Sequence, residues 1–147
     1  MALLDRLLHP SRGRDAALLF LRVSFGFMFV LHGWPKMTGG APTWTKVGSA
    51  MAGFGLDGGY AFFGFLATLA ELGGGLCLML GLLVRPVAVA LVFTMLVATM
   101  KHVLAGDRFP SVSHAIEAGL VWLFFLLGGA GRYSVDAWLQ RRRSGRR

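Results

Sequence analysis

Residues 60–83 read YAFFGFLATLAELGGGLCLMLGLL. Glu71 is the single charged side chain in the stretch. The remainder is apolar or small on every face, as suits a helix surrounded by lipid or by other helices. At about 1.5 Å per residue the stretch reaches about 36 Å, enough to cross a hydrocarbon core about 30 Å thick. A membrane span is therefore the reading. Glu71 marks its costly point, because an acidic side chain at the centre of a span costs about 2.5 to 3.5 kcal/mol unless it is partnered.

Outward from this span the same pattern recurs. Residues 16–31 form an apolar run that could extend to Trp34, where Pro35 is expected to end it. After the Arg85-Pro86 connection, with Pro86 suited to a first helical turn, a third run continues to His102. Residues 113–128 form a fourth, broken by the glycines of residues 128–131. The expected fold class is all-α, a polytopic membrane protein built as a four-transmembrane-helix bundle. Composition agrees, with 55% hydrophobic and 15% charged residues in 147; a soluble domain of that size needs more polar surface. A basic N-terminus (residues 1–15) precedes the transmembrane domain (16–138), and a basic tail (139–147) follows it. No cleavage site follows the first apolar run, so it reads as a retained helix and not a removed signal. In the long segment 37–59, residues 47–56 suit a short interfacial helix. Ser134 can cap a short helix carrying Asp136 and Trp138. The arginines beyond it suit a disordered tail near headgroups.

The net charge of +8 is not a nucleic-acid signature here, since the basic residues flank the spans and read as topology signals and lipid contacts. Arg6, Arg12, Arg14, Arg85, Arg132, Arg141, Arg142, Arg143, Arg146 and Arg147 fall on one side, and Lys36, Lys46, Lys101 and Arg108 on the other. The richer side, with both termini, is expected in the cytoplasm. Trp34, Trp44, Tyr60, Tyr133 and Trp138 lie near span boundaries and read as interface anchors. Cys77 stands alone, which excludes an internal disulfide and a thiol pair.

Ionisable groups at membrane depth locate the candidate site. Arg22 lies ten residues before His32, about 15 Å along the helix, and Glu71 eleven after Tyr60, about 16 Å. With His32 and Tyr60 at one level, antiparallel neighbours hold Arg22 and Glu71 as an ion pair near the midplane. The plain alternative is a pair that only fixes packing. His32, Lys36, Lys101, His102, His114 and Glu117 gather toward the outer ends, with His114 and Glu117 on one helix face. The candidate cavity is thus lined by Arg22, His32, Lys36, Glu71, His102, His114 and Glu117. Imidazole and carboxylate suit zinc or iron, yet the Glu-x-x-His pairs of a di-iron bundle are missing, so no metal is assigned. Phe25, Phe27 and Phe29 read as lipid-facing or core residues, or as flanks for a quinone ring.

Arg22-x-x-x-Gly26-x-x-Phe29-x-x-His32-Gly33-x-x-Lys36 resembles the first-helix signature of the DoxX family of small bacterial membrane proteins. Ala70-Glu71-x-x-Gly74-Gly75, Leu80-Gly81-x-x-x-Arg85 and Met95-x-x-Ala98-x-x-x-His102 extend the resemblance, and Glu117 with the closing segment 129–136 completes it. The resemblance implies a four-helix protein of the bacterial inner membrane. It also implies association with thiosulfate:quinone oxidoreductase or other membrane oxidoreductase complexes, with no catalytic role attached to any one residue. The leading expectation is a redox-linked accessory subunit holding a quinone or similar small molecule between its helices, with electrons drawn from a partner redox subunit. The alternatives are a non-catalytic scaffold or assembly factor and, third, a small proton-linked transporter, disfavoured because no span reads as broken. Membrane lipids and further copies of the chain complete the expected partners.

Overall fold

The computed structural model describes residues 11–145. The expectations for the basic residues at positions 1–10 and for Arg146 and Arg147 lie outside them. The described chain runs as α1 (Ser11–Thr38), α2 (Gly40–Gly48), a 3-10 segment (Ser49–Phe54), α3 (Tyr60–Leu80), α4 (Val84–Leu104), α5 (Phe109–Gly128) and α6 (Val135–Ser144). Helices α1, α3, α4 and α5 are each long and apolar enough to cross a membrane. The fold is all-helical.

Glycines set how closely α1 and α3 approach. A Cβ on Gly26 would lie 2.6 Å from the Gly75 carbonyl oxygen, and one on Gly75 would lie 2.6 Å from that of Gly26. A Cβ on Gly33 would lie 2.7 Å from the Leu72 nitrogen. Such backbone contact is how helices gain dispersion energy in lipid, where no hydrophobic force drives them together. On the other side of α3, Gly74 makes room for Leu91 of α4. Helices α4 and α5 then pack through buried Leu91, Met95, Ala118 and Trp122. The ring of helices closes with aromatic contacts between α1 and α5. Phe29 meets Trp122 edge-on at 5.1 Å between ring centroids, and Phe25 meets it at 5.6 Å. Phe27 is exposed on the lipid side.

The structure corrects several boundaries. Helix α1 does not stop at Trp34 but runs through Pro35 to Thr38. Proline removes only the one N–H that would reach the Leu31 carbonyl, and beyond it the Thr38 hydroxyl donates to the Trp34 and Pro35 carbonyls (3.1 and 3.2 Å), and Gly39 N–H donates to the Pro35 carbonyl. The stop comes at Gly39-Gly40, where Gly40 takes a positive φ of 63°. Helix α2 begins at Gly40, well before residue 47, and with the 3-10 segment behind it takes the place of the single short helix expected over 47–56. It packs on the outer half of α3, where Gly48 lies against Tyr60 and Gly64 against the Trp44 backbone so closely that neither leaves room for a Cβ. Helices α1 and α2 together thus form one broken rod along α3, with the break at Gly39-Gly40 and not at Pro35. Helix α3 ends at Leu80, three residues early, because Gly81 adopts the left-handed conformation at φ 69° and closes the helix. Residues 141–144 form the last turn of α6 and are not a disordered tail.

The expected cap is present: Ser134 Oγ accepts the Ala137 N–H at 3.2 Å. Arg22 and Asp136 lock the same end of the bundle. The Arg22 guanidinium donates to the carbonyls of Ala130 (3.0 Å) and Tyr133 (2.6 Å). Both Asp136 oxygens accept N–H groups at the start of α4, from Leu83 at 2.9 Å and Val84 at 3.0 Å. A carboxylate there satisfies orphan donors and complements the positive end of the helix dipole.

Candidate functional site

The Arg22–Glu71 ion pair does not form. The sequence reading set His32 level with Tyr60, but Gly33 packs against Leu72, about 18 Å further along α3. Sliding α1 by that distance carries Arg22 past the midplane to the end of α3, beside Gly81, where a Cβ would overlap its guanidinium. It also carries Lys36 down to Glu71. Lys36 Nζ donates to Glu71 Oε2, and the two form an ion pair. Glu71 is buried, with 7% of its side chain exposed, while 32% of the Lys36 side chain remains open. The break after α1 leaves the Lys36 carbonyl to be satisfied by the Trp44 indole N–H at 3.0 Å. Irregular backbone at membrane depth is tolerated where protein or a cavity surrounds it.

The Lys36–Glu71 pair forms part of the wall of a cavity of about 580 Å³ between α2, the 3-10 segment, α3 and α4. One stripe of α3 (Phe63, Leu66, Ala67, Ala70 and Glu71) faces it, and so does one stripe of α4 (Ala90, Phe93, Thr94, Val97, Ala98, Lys101 and His102). Both follow the i, i+3, i+4, i+7 spacing of one helix face. Helices α3 and α4 are joined tightly at Gly81–Leu83, and the space between them lies toward their other ends. Lys101 and His102, in the last turn of α4, line its outer part. Lys101 Nζ reaches the Lys46 carbonyl at 3.4 Å, and His102 Nδ1 lies 2.6 Å from Asp107 Oδ2. Leu66 and Phe93 line the cavity and are also 43% and 56% exposed, so it opens sideways between α3 and α4 toward lipid.

Of the seven candidate side chains, Lys36, Glu71 and His102 line this cavity and four do not. Arg22 holds the opposite end of the bundle. His32 and His114 face one another across α1 and α5, with ring centroids 5.6 Å apart, and both are exposed. Glu117, one turn further along α5, is exposed and has neither hydrogen bond nor ion pair among the described residues. Phe25 and Phe29 pack in the core and do not line the cavity. No group of three or more metal-ligating side chains gathers among the described residues. Trp44, Thr94 and Asp107 were not singled out for chemistry in the sequence, and no local motif marks them. Asp107 could have been noticed as a carboxylate five positions after His102.

Comparison with known proteins agrees with this architecture. The DoxX family model matches residues 17–104. The inner membrane protein YqjF of Escherichia coli (strain K12) is 31% identical over 131 residues, covering 87% of this chain and 95% of that protein. No solved structure matches.

Proposed function

This chain belongs to the DoxX family, and we propose that it is a redox-linked accessory subunit that binds a quinone or similar lipophilic carbonyl compound in the cavity between α3 and α4. It is a multi-pass protein of the inner membrane. The observation that carries the reading is the cavity itself, apolar along its walls, with a part-buried ion pair at mid-depth and two further cationic or titratable groups toward its outer end. A volume of about 580 Å³ suits a small organic ligand, and a few placed polar groups in an apolar pocket are what orient one. When bound, a quinone supplies two-electron, two-proton chemistry; the chain supplies donors and a proton route. Lys36 Nζ can donate to a carbonyl oxygen while remaining beside Glu71, and Glu71 and His102, both on the cavity wall, are the groups able to pass protons to or from the ligand. An isoprenoid tail leaves sideways past Leu66 and Phe93. Electrons come from a partner redox subunit. The distribution of arginine supports cytoplasmic termini, which directs the outer end of the cavity toward the periplasm.

The test is native mass spectrometry of the protein purified in mild detergent, with lipid extraction from the same sample. A stoichiometric quinone, absent from the Lys36→Met, Glu71→Leu double variant, supports the reading. A wild-type protein that neither retains a quinone nor takes one up when it is supplied in excess refutes it.

One observation favours the second reading, a scaffold that assembles with another membrane protein. Glu117 is exposed on the same face of α5 as His114, eight residues inside the span, with no partner among the described residues. A carboxylate at that depth is expected to find one. The broken α1–α2 rod removes the argument from unbroken spans against a transporter, but the Lys36–Glu71 pair adjoining the break is already internally matched.

A further inference from the structure

A second cavity, of about 510 Å³, lies at the arginine-rich end, beneath the loop between α5 and α6. Arg85, Arg132, Asp136 and Gln140 line it together with the backbone of residues 128–131. Among the described residues, the two acids at this end are each hydrogen-bonded to backbone N–H groups. Asp136 spends both oxygens on the start of α4, and Asp15 accepts the Arg132 backbone N–H at 3.3 Å. Neither the Arg85 nor the Arg132 guanidinium meets a carboxylate within salt-bridge distance among the described residues. Behind the loop, Arg22 adds a third positive charge while its own donors hold the Ala130 and Tyr133 carbonyls. At Gly129 the backbone passes close to Arg85, where a Cβ would lie 3.9 Å from Nε. Trp138 and Tyr133 stand half exposed beside this end, and Arg142 stacks on the Trp138 ring at 4.0 Å. Such aromatic groups settle at the headgroup level.

We propose that this pocket binds a phosphate-bearing anion, supplied by the headgroup of an anionic phospholipid. Two guanidinium groups without carboxylate partners among the described residues suit the oxygens of a phosphodiester, and basic pockets at the ends of spans take such headgroups. The site is independent of the quinone cavity, which lies in the other half of the bundle.

The experiment uses the full-length protein in phosphatidylcholine nanodiscs and titrates phosphatidylglycerol, read by native mass spectrometry. Glycerol 3-phosphate forms a separate soluble arm. Retention of phosphatidylglycerol over phosphatidylcholine is expected, weakened roughly twenty-five-fold in Arg85→Gln, Arg132→Gln at about fivefold per arginine. Arg141→Gln, Arg142→Gln, in the neighbouring basic helix, should weaken it less than about threefold if the pocket is the site. Both pocket arginines are exposed, so the first variant should melt like wild type in phosphatidylcholine alone. Equal binding of glycerol 3-phosphate with the same arginine dependence would keep the phosphate site and assign it a soluble source. Equal losses in the two double variants, or no preference for either phosphate ligand, would overturn the proposal.

Discussion

The two ends of this bundle use buried charge in opposite ways. At the arginine-rich end, Arg22 and Asp136 are bound to backbone: one to the carbonyls of Ala130 and Tyr133, the other to the N–H groups of Leu83 and Val84. Those bonds tie α1, α4 and the start of α6 together and commit Arg22 and Asp136 to the fold. In the other half, Lys36 and Glu71 are bound to each other beside a cavity. A pair satisfied by side chains alone can rearrange when a ligand arrives, because no backbone must move. The difference separates costly polar residues that hold the fold from those available for chemistry, which burial alone does not do: Arg22 and Glu71 are equally buried residues.

The largest effect is expected from Arg22→Met. It leaves the buried Ala130 carbonyl and the part-buried Tyr133 carbonyl without their donor and should lower stability by about 3 kcal/mol, read by thermal unfolding in detergent, while ligand affinity per folded molecule stays within about twofold. A normal melting profile would erase the distinction between the two ends. Asp136→Ala should follow, at about 1 to 2 kcal/mol for the lost cap; hydrogen exchange should localise the loss to the first turn of α4. A uniform loss across the bundle would show that the cap does not act locally.

The outer half should respond differently. In Lys36→Met, Glu71→Leu, replacing the pair by apolar groups should change stability by less than about 1 kcal/mol in either direction, since such a pair roughly offsets its own desolvation. Binding of a short-chain quinone should nonetheless be lost. Destabilisation matching that of Arg22→Met would make the pair a structural lock like the other end. Smallest of all, Asp107→Asn should cost under about 0.5 kcal/mol, because its contact with His102 is exposed. A larger cost, measured in the same unfolding series, would mean that the outer end is more rigid than its exposure implies.

The spans were legible because hydropathy reports length and lipid contact directly. The Ser134 cap and the glycine stop of α5 were legible because each depends on a few adjacent residues. The axial offset between α1 and α3 was not. Hydropathy says that both helices cross, yet not where one sits along the other, and Pro35 made α1 look finished before Lys36. The offset is set by Gly26 and Gly33 nesting against Gly75 and Leu72, a contact between distant segments that no local pattern reports. Hence the sequence pairs Arg22 with the wrong partner while rightly marking Glu71 as a residue that needs one. The grouping of His32, His114 and Glu117 with His102 failed for a related reason. All lie toward the outer ends of their helices, but α5 turns His114 and Glu117 to the face beside α1, away from the cavity.

The most direct test is an equilibrium binding isotherm for decylubiquinone on purified wild type, on Lys36→Met, Glu71→Leu, and on Arg22→Met, each corrected for its folded fraction. Saturable one-to-one binding to wild type and Arg22→Met, with loss in the double variant, is the expected result. Undiminished binding in the double variant, or none in folded wild type, would contradict the assignment of the cavity as a quinone site.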